Sequence, residues 1–160
     1  MAFEEPSTAL EGVMTTLRLG DAGLSAKESH LSDAEGKLAC LLDLWDIRAR
    51  AHDAVTDTAD IYARMAVYAF DPSMTTAALA RLIQTETDNV KRLKTLIDDH
   101  PHSIAMAGII HGLVREGQCE IHFAKKTTTP KGAQKRILRA FGFKRVSNYI
   151  GEVCIDVCEQ

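Results

Sequence analysis

The chain has 160 residues, of which 46% are hydrophobic, and its formal net charge is −3. This length and hydrophobic content are enough for the core of one domain, which excludes a disordered protein. The sequence contains no run of about 18 consecutive apolar residues, so we expect no transmembrane helix and no membrane partner. The start, MAFEEPSTALEG, lacks a signal-peptide pattern, and we therefore predict a cytoplasmic protein.

The N-terminal part of the chain has a weaker apolar pattern than the rest. Residues 1–30 are predicted to be a weakly ordered segment with a helix near 7–19, which Gly20 and Gly23 would end. Residues 31–160 are predicted to form a single helical domain with a basic C-terminal region.

The first strongly patterned helix is expected after Leu31. Ser32 and Glu35 have the spacing of a capping box, which indicates a helix start. Trp45 is predicted to be the largest buried side chain of this helix. Helical spacing returns in HDAVTDTADIYARMAVYAF, and further helices are expected on either side of a break at His100-Pro101.

Two short stretches near the C-terminus alternate between apolar and polar residues. They are QCEIHFA, residues 118–124, and EVCIDVC, residues 152–158. Alternation with a period of two indicates strands, so we predict that the two stretches pair as a small β element.

Four cysteines occur, and in a cytoplasmic chain they are expected to be reduced thiols: Cys40, Cys119, Cys154 and Cys158. Zinc binding by Cys119, His122, Cys154 and Cys158 is not favoured. If residues 152–158 form a strand, Cys154 and Cys158 lie about 13 Å apart, at about 3.3 Å per residue. Cys119 and His122 would point to opposite faces of the other strand. We therefore expect no metal and no cofactor.

The stretch TTAALARLIQTETDNVKRLKTLID contains two apolar-periodic runs separated by polar residues. Leu79 and Ala80 are placed to pack the first helix on the second, which would turn Val90 and Leu93 inward. Over residues 76–97 this pattern resembles the helix-turn-helix of DNA-binding domains. The match departs at the turn, where Gln84 and Thr85 replace the usual glycine and aliphatic residue. A helical hairpin that serves only the core is the alternative.

The resemblance implies that the second helix contacts DNA. Its outward residues would include Lys91 and Arg92, with Asn89 at the rim, and these supply donors for base edges and phosphates. Asp88 and Asp98 on the same face would repel phosphates.

A basic segment follows, because residues 121–151 carry eight Lys or Arg and no Asp or Glu. The segment is therefore +8, and the remainder of the chain is −3 − 8 = −11. Thr129-Pro130 is predicted to start a helix that Gly142 ends. One side of this helix is apolar and the other side holds four cations: Lys131, Lys135, Arg136 and Arg139. Four more cations flank the helix: Lys125, Lys126, Lys144 and Arg145.

The stretch RAFGFKRVSNYI around Gly142 also resembles a second helix-turn-helix, with Val146 and Tyr149 inward. A tight corner between two helices is the alternative interpretation. Like charges crowded on one helix are stabilised by a polyanion, because each neutralised phosphate releases counterions. A surface balanced by the acidic remainder of the chain is the alternative for the basic segment.

Together these patterns predict a mainly α fold, a multi-helix domain with a helix-turn-helix-like pair and a small two-stranded β element near the C-terminus. The predicted function is a small DNA-binding protein, a transcription regulator that contacts duplex DNA through residues 86–97 and grips the backbone with residues 125–145. A homodimer would fit such a reader. The alternative is a helical interaction module whose basic helix docks on an acidic protein. No catalytic motif is present, so we do not expect an enzyme.

Overall fold

The computed structural model describes residues 8–50 and 58–158. Within these ranges the chain is mainly helical with a small antiparallel sheet near the C-terminus, and the predicted fold class is confirmed. In chain order the elements are α1 Thr8–Leu19, α2 Asp21–Ala49, α3 Thr58–Val67, α4 Thr76–Arg115, β1 Glu120–His122, α5 Lys131–Phe141, β2 Ser147–Tyr149 and β3 Glu152–Asp156.

The residues divide into two compact units. Residues 26–97 form one, here called the helical unit. Residues 1–25 and 98–160 form the other, here called the sheet unit. Helices α2 and α4 contribute residues to both units. The predicted division after residue 30 stays a prediction.

The core of the helical unit is built from α2, α3 and the start of α4. Leu41 and Leu44 pack with Ile61, Met65 and Leu79, and all five are at most 2% exposed. A second buried cluster joins Ala34 to Val90 and Leu93. Burying these aliphatic side chains stabilises the unit, at about 1.5–3 kcal/mol for each fully buried large one.

The sequence interpretation of α2 was wrong in two respects. The helix begins at Asp21 and passes through Ser32, so Ser32 caps nothing. Trp45 lies on the border of the stripe that carries Leu41 and Leu44, and it is 41% exposed. Shorter side chains therefore form this core.

Helix α4 is continuous from Thr76 to Arg115, so the predicted turn at Gln84-Thr85 was wrong and no helix-turn-helix exists over residues 76–97. The polar stretch stays helical because it lacks glycine and its side chains bond within the helix. Gln84 Nε2 donates to Asp88 Oδ1 at 2.9 Å, and Thr85 Oγ1 donates to the Arg81 carbonyl at 2.9 Å. Val90 and Leu93 do turn inward, as predicted.

The predicted break at His100-Pro101 was also wrong, since Pro101 lies inside α4. Proline removes one backbone donor from a helix. The two residues that precede Pro101 in the helix, Asp99 and His100, are both buried, and their contacts help to hold this part of α4 in place. The ring of His100 lies 3.0 Å from the Gly20 carbonyl oxygen, measured from Nε2.

The sheet of the sheet unit has the order β1-β3-β2, and both pairings are antiparallel. The predicted pairing of residues 118–124 with 152–158 is confirmed as β1 with β3, where Ile121 is opposite Ile155. Strand β2 was not predicted. It overturns both interpretations of the stretch around Gly142, the second helix-turn-helix and the tight corner between two helices. Tyr149, which the first interpretation placed inward, is 60% exposed.

One face of the sheet covers the core of the sheet unit. Ile121, Val153 and Ile155 pack against α1, α4 and α5 through a shared set of buried side chains: Ala9, Val13, Met106, Ile110, Ile137, Leu138 and Phe141. Helices α1 and α5 approach each other so closely that a methyl group at Gly12 would collide with the backbone carbonyl oxygen of Phe141.

Helix α5 ends at Gly142, as predicted. This residue has φ 115° and adopts the left-handed conformation that favours glycine. Its N–H donates to the Arg139 carbonyl, and the N–H of Phe143 donates to the Leu138 carbonyl. The start differs slightly, because Pro130 occupies the cap position and Thr129 is buried just before it.

Two of the four cysteines are not thiols, which corrects the sequence prediction. Cys119 and Cys158 form a disulfide, with their Cα atoms 5.0 Å apart. The pairing of β1 with β3 brings them together, since each lies two residues or fewer beyond the paired residues Glu120 and Asp156. Cys40 and Cys154 are free and buried.

Among the residues that the structure describes, no helix combines the length and the apolar character that crossing a bilayer requires.

Candidate nucleic-acid interface

Helix α5 has two chemically distinct sides. Its buried side carries Ile137, Leu138 and Phe141. Lys131, Lys135 and Arg139 follow one another at intervals of four residues along another side, and we call them the cationic stripe. At a rise of 1.5 Å per residue, successive members are about 6 Å apart along the helix axis. Burial of the apolar side fixes which way the stripe faces.

The cationic stripe is accessible and is not neutralised within the described ranges. Lys131 and Arg139 are exposed, and Lys135 is partly exposed. None of the three forms an ion pair with a residue in 8–50 or 58–158. By contrast, Lys37 and Arg64 bond aspartates of the helical unit. The stripe therefore retains its charge for a partner.

Arg136 lies on the same helix but has a different role. Its Nε and one Nη donate to the Asp99 carboxylate at 2.6 and 2.7 Å. These hydrogen bonds raise the pKa of the Arg136 guanidinium. Because Asp99 belongs to α4 and is 6% exposed, the pair anchors α5 to α4. Arg136 is thus a structural residue, whatever it adds to a binding surface.

A hydrogen-bonded segment positions the start of the cationic stripe. The Thr129 hydroxyl lies 3.2 Å from His102 Nδ1 of α4 and 2.9 Å from the Thr127 hydroxyl. Gln134 of α5 donates to the Thr129 carbonyl at 2.6 Å. This network ties residues 127–130, and with them Lys131, to the core of the sheet unit.

The four flanking cations occupy connecting segments of the sheet unit, and all are exposed: Lys125, Lys126, Lys144 and Arg145. Lys126 lies in a turn after β1, where its N–H donates to the Phe123 carbonyl at 3.0 Å. Lys144 follows the Gly142 cap. The connections on both sides of α5 therefore add positive charge to the same unit.

The three other predicted contact residues belong to the helical unit. Lys91 and Arg92 are exposed on α4, and Arg92 donates to Asn89 Oδ1 at 2.7 Å. Because α4 is continuous, these residues are not on the second helix of a helix-turn-helix. The geometry that would have presented Asn89 to a base edge is absent.

A group that sequence reasoning missed lies on the other face of the sheet. His122 and Cys154 are opposite each other in the register, with Nδ1 and Sγ 3.0 Å apart. His122 also contacts Glu120 through Nε2 at 3.1 Å and Glu152 through Nδ1 at 3.3 Å. Sequence reasoning considered Cys119 with His122 and Cys154 with Cys158 as metal ligands, and it did not consider the contact between His122 and Cys154 that the strand register produces.

This arrangement places a thiol beside an imidazole and a carboxylate, as in cysteine nucleophiles. Burial raises the pKa of the Cys154 thiol, and the nearby carboxylates add to the rise. A buried and protonated thiol is a poor nucleophile. The described residues contain no group of three or more His, Cys, Asp or Glu arranged to hold a metal ion. The arrangement therefore reads as a structural contact across the strands.

A second missed feature is the tip of the β2–β3 hairpin. Tyr149 pairs with Glu152, so only Ile150 and Gly151 form the turn. Their φ angles are 52° and 73°. Ile150 is 84% exposed and Tyr149 is 60% exposed. The hairpin could have been recognised only by treating VSNYIGEV as two strands, which Ile in a turn position does not suggest.

Comparison of this chain with protein-family models, with curated proteins and with solved structures gave no match.

Proposed function

We propose that the sheet unit binds the phosphate backbone of duplex DNA through the cationic stripe. The observation that carries the proposal is the exposure of Lys131, Lys135 and Arg139 on one side of α5 without ion pairs in the described residues. Lysine and arginine that neutralise phosphates release counterions, which supplies most of the affinity in sequence-independent binding.

The distribution of charge supports this proposal. The segment 121–151 has no acidic residue, and the one carboxylate that engages α5 in the described contacts, Asp99, takes up Arg136 alone. Lys125, Lys126 and Lys144 are also exposed in the sheet unit, in the segments on either side of the helix. A phosphate strand is the partner that matches several cations spaced about 6 Å apart, because its charges repeat along a line.

The proposal differs in one respect from the expectation based on sequence. Because α4 is continuous, residues 76–97 do not form the separate recognition helix that was expected to enter the major groove. The contacts offered by the stripe are to phosphates, which position a protein but carry no sequence information. We therefore propose binding with little sequence preference.

The experiment is a fluorescence-anisotropy titration of a labelled 20-base-pair duplex over a range of salt concentrations. The triple variant Lys131→Glu, Lys135→Glu and Arg139→Glu is expected to lose most binding. Loss of three phosphate contacts should make the negative slope of log K against log salt shallower by about 2.7, at about 0.9 per phosphate. Circular dichroism checks that the variant is folded.

The matched control reverses the same number of charges on exposed residues of the helical unit, with Lys91→Glu, Arg92→Glu and Lys94→Glu. This variant is expected to keep the salt slope of the wild type. Equal losses in the two variants would mean that net charge alone governs binding, which contradicts the proposal. Absence of duplex binding by the wild type at low salt would overturn it.

The alternative function is an interaction module that docks on an acidic protein through the same cationic stripe. Absence of duplex binding by the wild type at low salt would favour it. A regulatory role in transcription and a cytoplasmic location are extensions of the DNA proposal. Structural disulfides are uncommon in reducing compartments. A Cys119–Cys158 bond that persists in the cell would therefore argue against the cytoplasmic location. The oxidation state in cell extracts prepared with a thiol-trapping reagent tests it.

A further inference from the structure

The β2–β3 hairpin ends in a strained and exposed apolar residue. Two-residue turns with positive φ at both positions favour Asn-Gly or Asp-Gly, yet this turn is Ile150-Gly151. A β-branched residue at positive φ is an outlier, because left-handed backbone is unfavourable for any residue with a Cβ atom. Ile150 gains no burial in return, being 84% exposed.

The tip is adjacent to the cationic stripe. A methyl group built at Gly151 would lie 3.7 Å from the ammonium nitrogen of Lys131. Lys131 is the first member of the stripe, so the exposed apolar tip lies beside one end of the row of cations.

One carboxylate of the hairpin is engaged within the sheet. Glu152 is opposite Tyr149 in the register, and its carboxylate lies 3.3 Å from His122 Nδ1. His122 also has an edge contact with the Tyr149 ring, whose centroid is 6.2 Å away. These contacts hold Tyr149 at the base of the tip while it remains 60% exposed.

We infer that the hairpin tip is a wedge that contacts unstacked bases in a nucleic acid gripped by the cationic stripe. Ile150 enters a base step, and Tyr149 offers its ring for stacking. Architectural DNA-binding proteins insert single apolar side chains between base steps in this way, and stacking of a base on an aromatic ring adds affinity whatever the base. This inference rests on the proposed function.

The expected ligand is a duplex in which a bulge or a mismatch already interrupts the base stacking. Unstacking a base step is unfavourable, and a bulge or mismatch has already lost part of its stacking energy before the protein binds. A duplex with a central two-nucleotide bulge should therefore bind more tightly than the intact duplex of the same length. An anionic membrane is the less favoured partner, because surface helices that bind membranes expose broad apolar faces, whereas this tip exposes two side chains.

The test compares the intact and bulged duplexes in the anisotropy assay with the variant Ile150→Asn. This change creates Asn-Gly, a favoured sequence for this turn, so the variant is expected to fold and to melt at a higher temperature. It removes the wedge, and the wild-type preference for the bulged duplex, expected to be about tenfold or 1.4 kcal/mol, should fall towards unity. Affinity for the intact duplex should change little.

Val67→Asn is the matched control, because Val67 is also β-branched and is 80% exposed, in the helical unit. It is expected to keep the tenfold preference. A 2-aminopurine base beside the bulge gives a second measurement, since insertion of Ile150 unstacks the base and raises its fluorescence. Ile150→Asn should abolish this rise.

The outcomes separate the two proposals. Wild-type binding to both duplexes with equal affinity, unchanged by Ile150→Asn, overturns the wedge and leaves backbone binding intact. No binding to either duplex overturns both. Binding to vesicles of phosphatidylserine and phosphatidylcholine that exceeds duplex binding and is lost in Ile150→Asn also overturns the wedge, because the tip would then serve a lipid surface.

Discussion

The guanidinium of Arg136 forms two hydrogen bonds, 2.6 and 2.7 Å long, with the buried carboxylate of Asp99. The arginine side chain is 51% exposed and the aspartate side chain is 8% exposed. This asymmetry has a consequence for stability. Arg136 can return to water if its partner is lost, whereas Asp99 cannot.

We therefore expect Arg136→Ala to cost more than Asp99→Asn. The first change leaves a buried charge without its counterion and should lower the free energy of unfolding by about 2 kcal/mol. The second removes the charge and keeps an acceptor oxygen, and should cost about 1 kcal/mol. Urea unfolding of both variants gives the comparison. A larger loss of unfolding free energy in Asp99→Asn than in Arg136→Ala would contradict this prediction, because the main cost would then not come from a buried carboxylate without its counterion.

Gly12 and Phe141 define a close contact between α1 and α5. Gly12→Ala should lower the free energy of unfolding by about 1–3 kcal/mol, because the added methyl meets a backbone oxygen that no rotamer change can move. Gly112→Ala is the control, since nothing lies within 4 Å of a methyl at that helical position. It should stabilise α4 by about 0.5–1 kcal/mol, and thermal melting distinguishes the two signs.

The number of reactive thiols tests the cysteine pairing directly. Oxidised protein denatured without reductant should expose two reactive thiols, Cys40 and Cys154, and four after reduction. The Cys119–Cys158 bond closes a loop with a sequence separation of 39 residues. Its loss in the variant with Cys119→Ser and Cys158→Ser should cost about 2–4 kcal/mol. Four reactive thiols before reduction would contradict this pairing.

Cys154 should make stability depend on pH in the alkaline range. Burial raises the pKa of its thiol in the folded state above its ordinary value. The folded state therefore holds this proton while the unfolded state releases it. The stabilisation is complete below the unfolded pKa, about 8.5, and is lost as the pH rises through the folded value.

The measurement is the free energy of unfolding of wild type and Cys154→Ala at pH 7, 8.5 and 9.5. The wild type should lose its advantage over the variant as the pH rises. Parallel curves would mean that Cys154 ionises equally in both states. The same measurement on Cys40→Ala is expected to show the same alkaline trend, since burial also raises the pKa of the Cys40 thiol.

Several features of this protein follow from the sequence alone because they depend on neighbours a few residues apart. The first helix, the strands at 120–122 and 152–156, and the glycine stop at Gly142 were all predicted from apolar period and backbone preference. The two sides of α5 follow in the same way. A helix must bury its apolar side, so Lys131, Lys135 and Arg139 are left outside.

Other features depend on contacts between residues far apart in the chain, which no local pattern encodes. The unbroken α4 places Leu79 and Val90 in separate buried clusters, and each cluster is completed by residues from elsewhere in the chain. Strand register decided that Cys119 bonds Cys158 and that His122 meets Cys154. Tertiary packing also places Arg136 within hydrogen-bonding distance of Asp99, and it places Lys131 beside the hairpin tip. Local periodicity predicted α1, α5, β1 and β3, while the free energy of long-range packing determines which of their side chains meet.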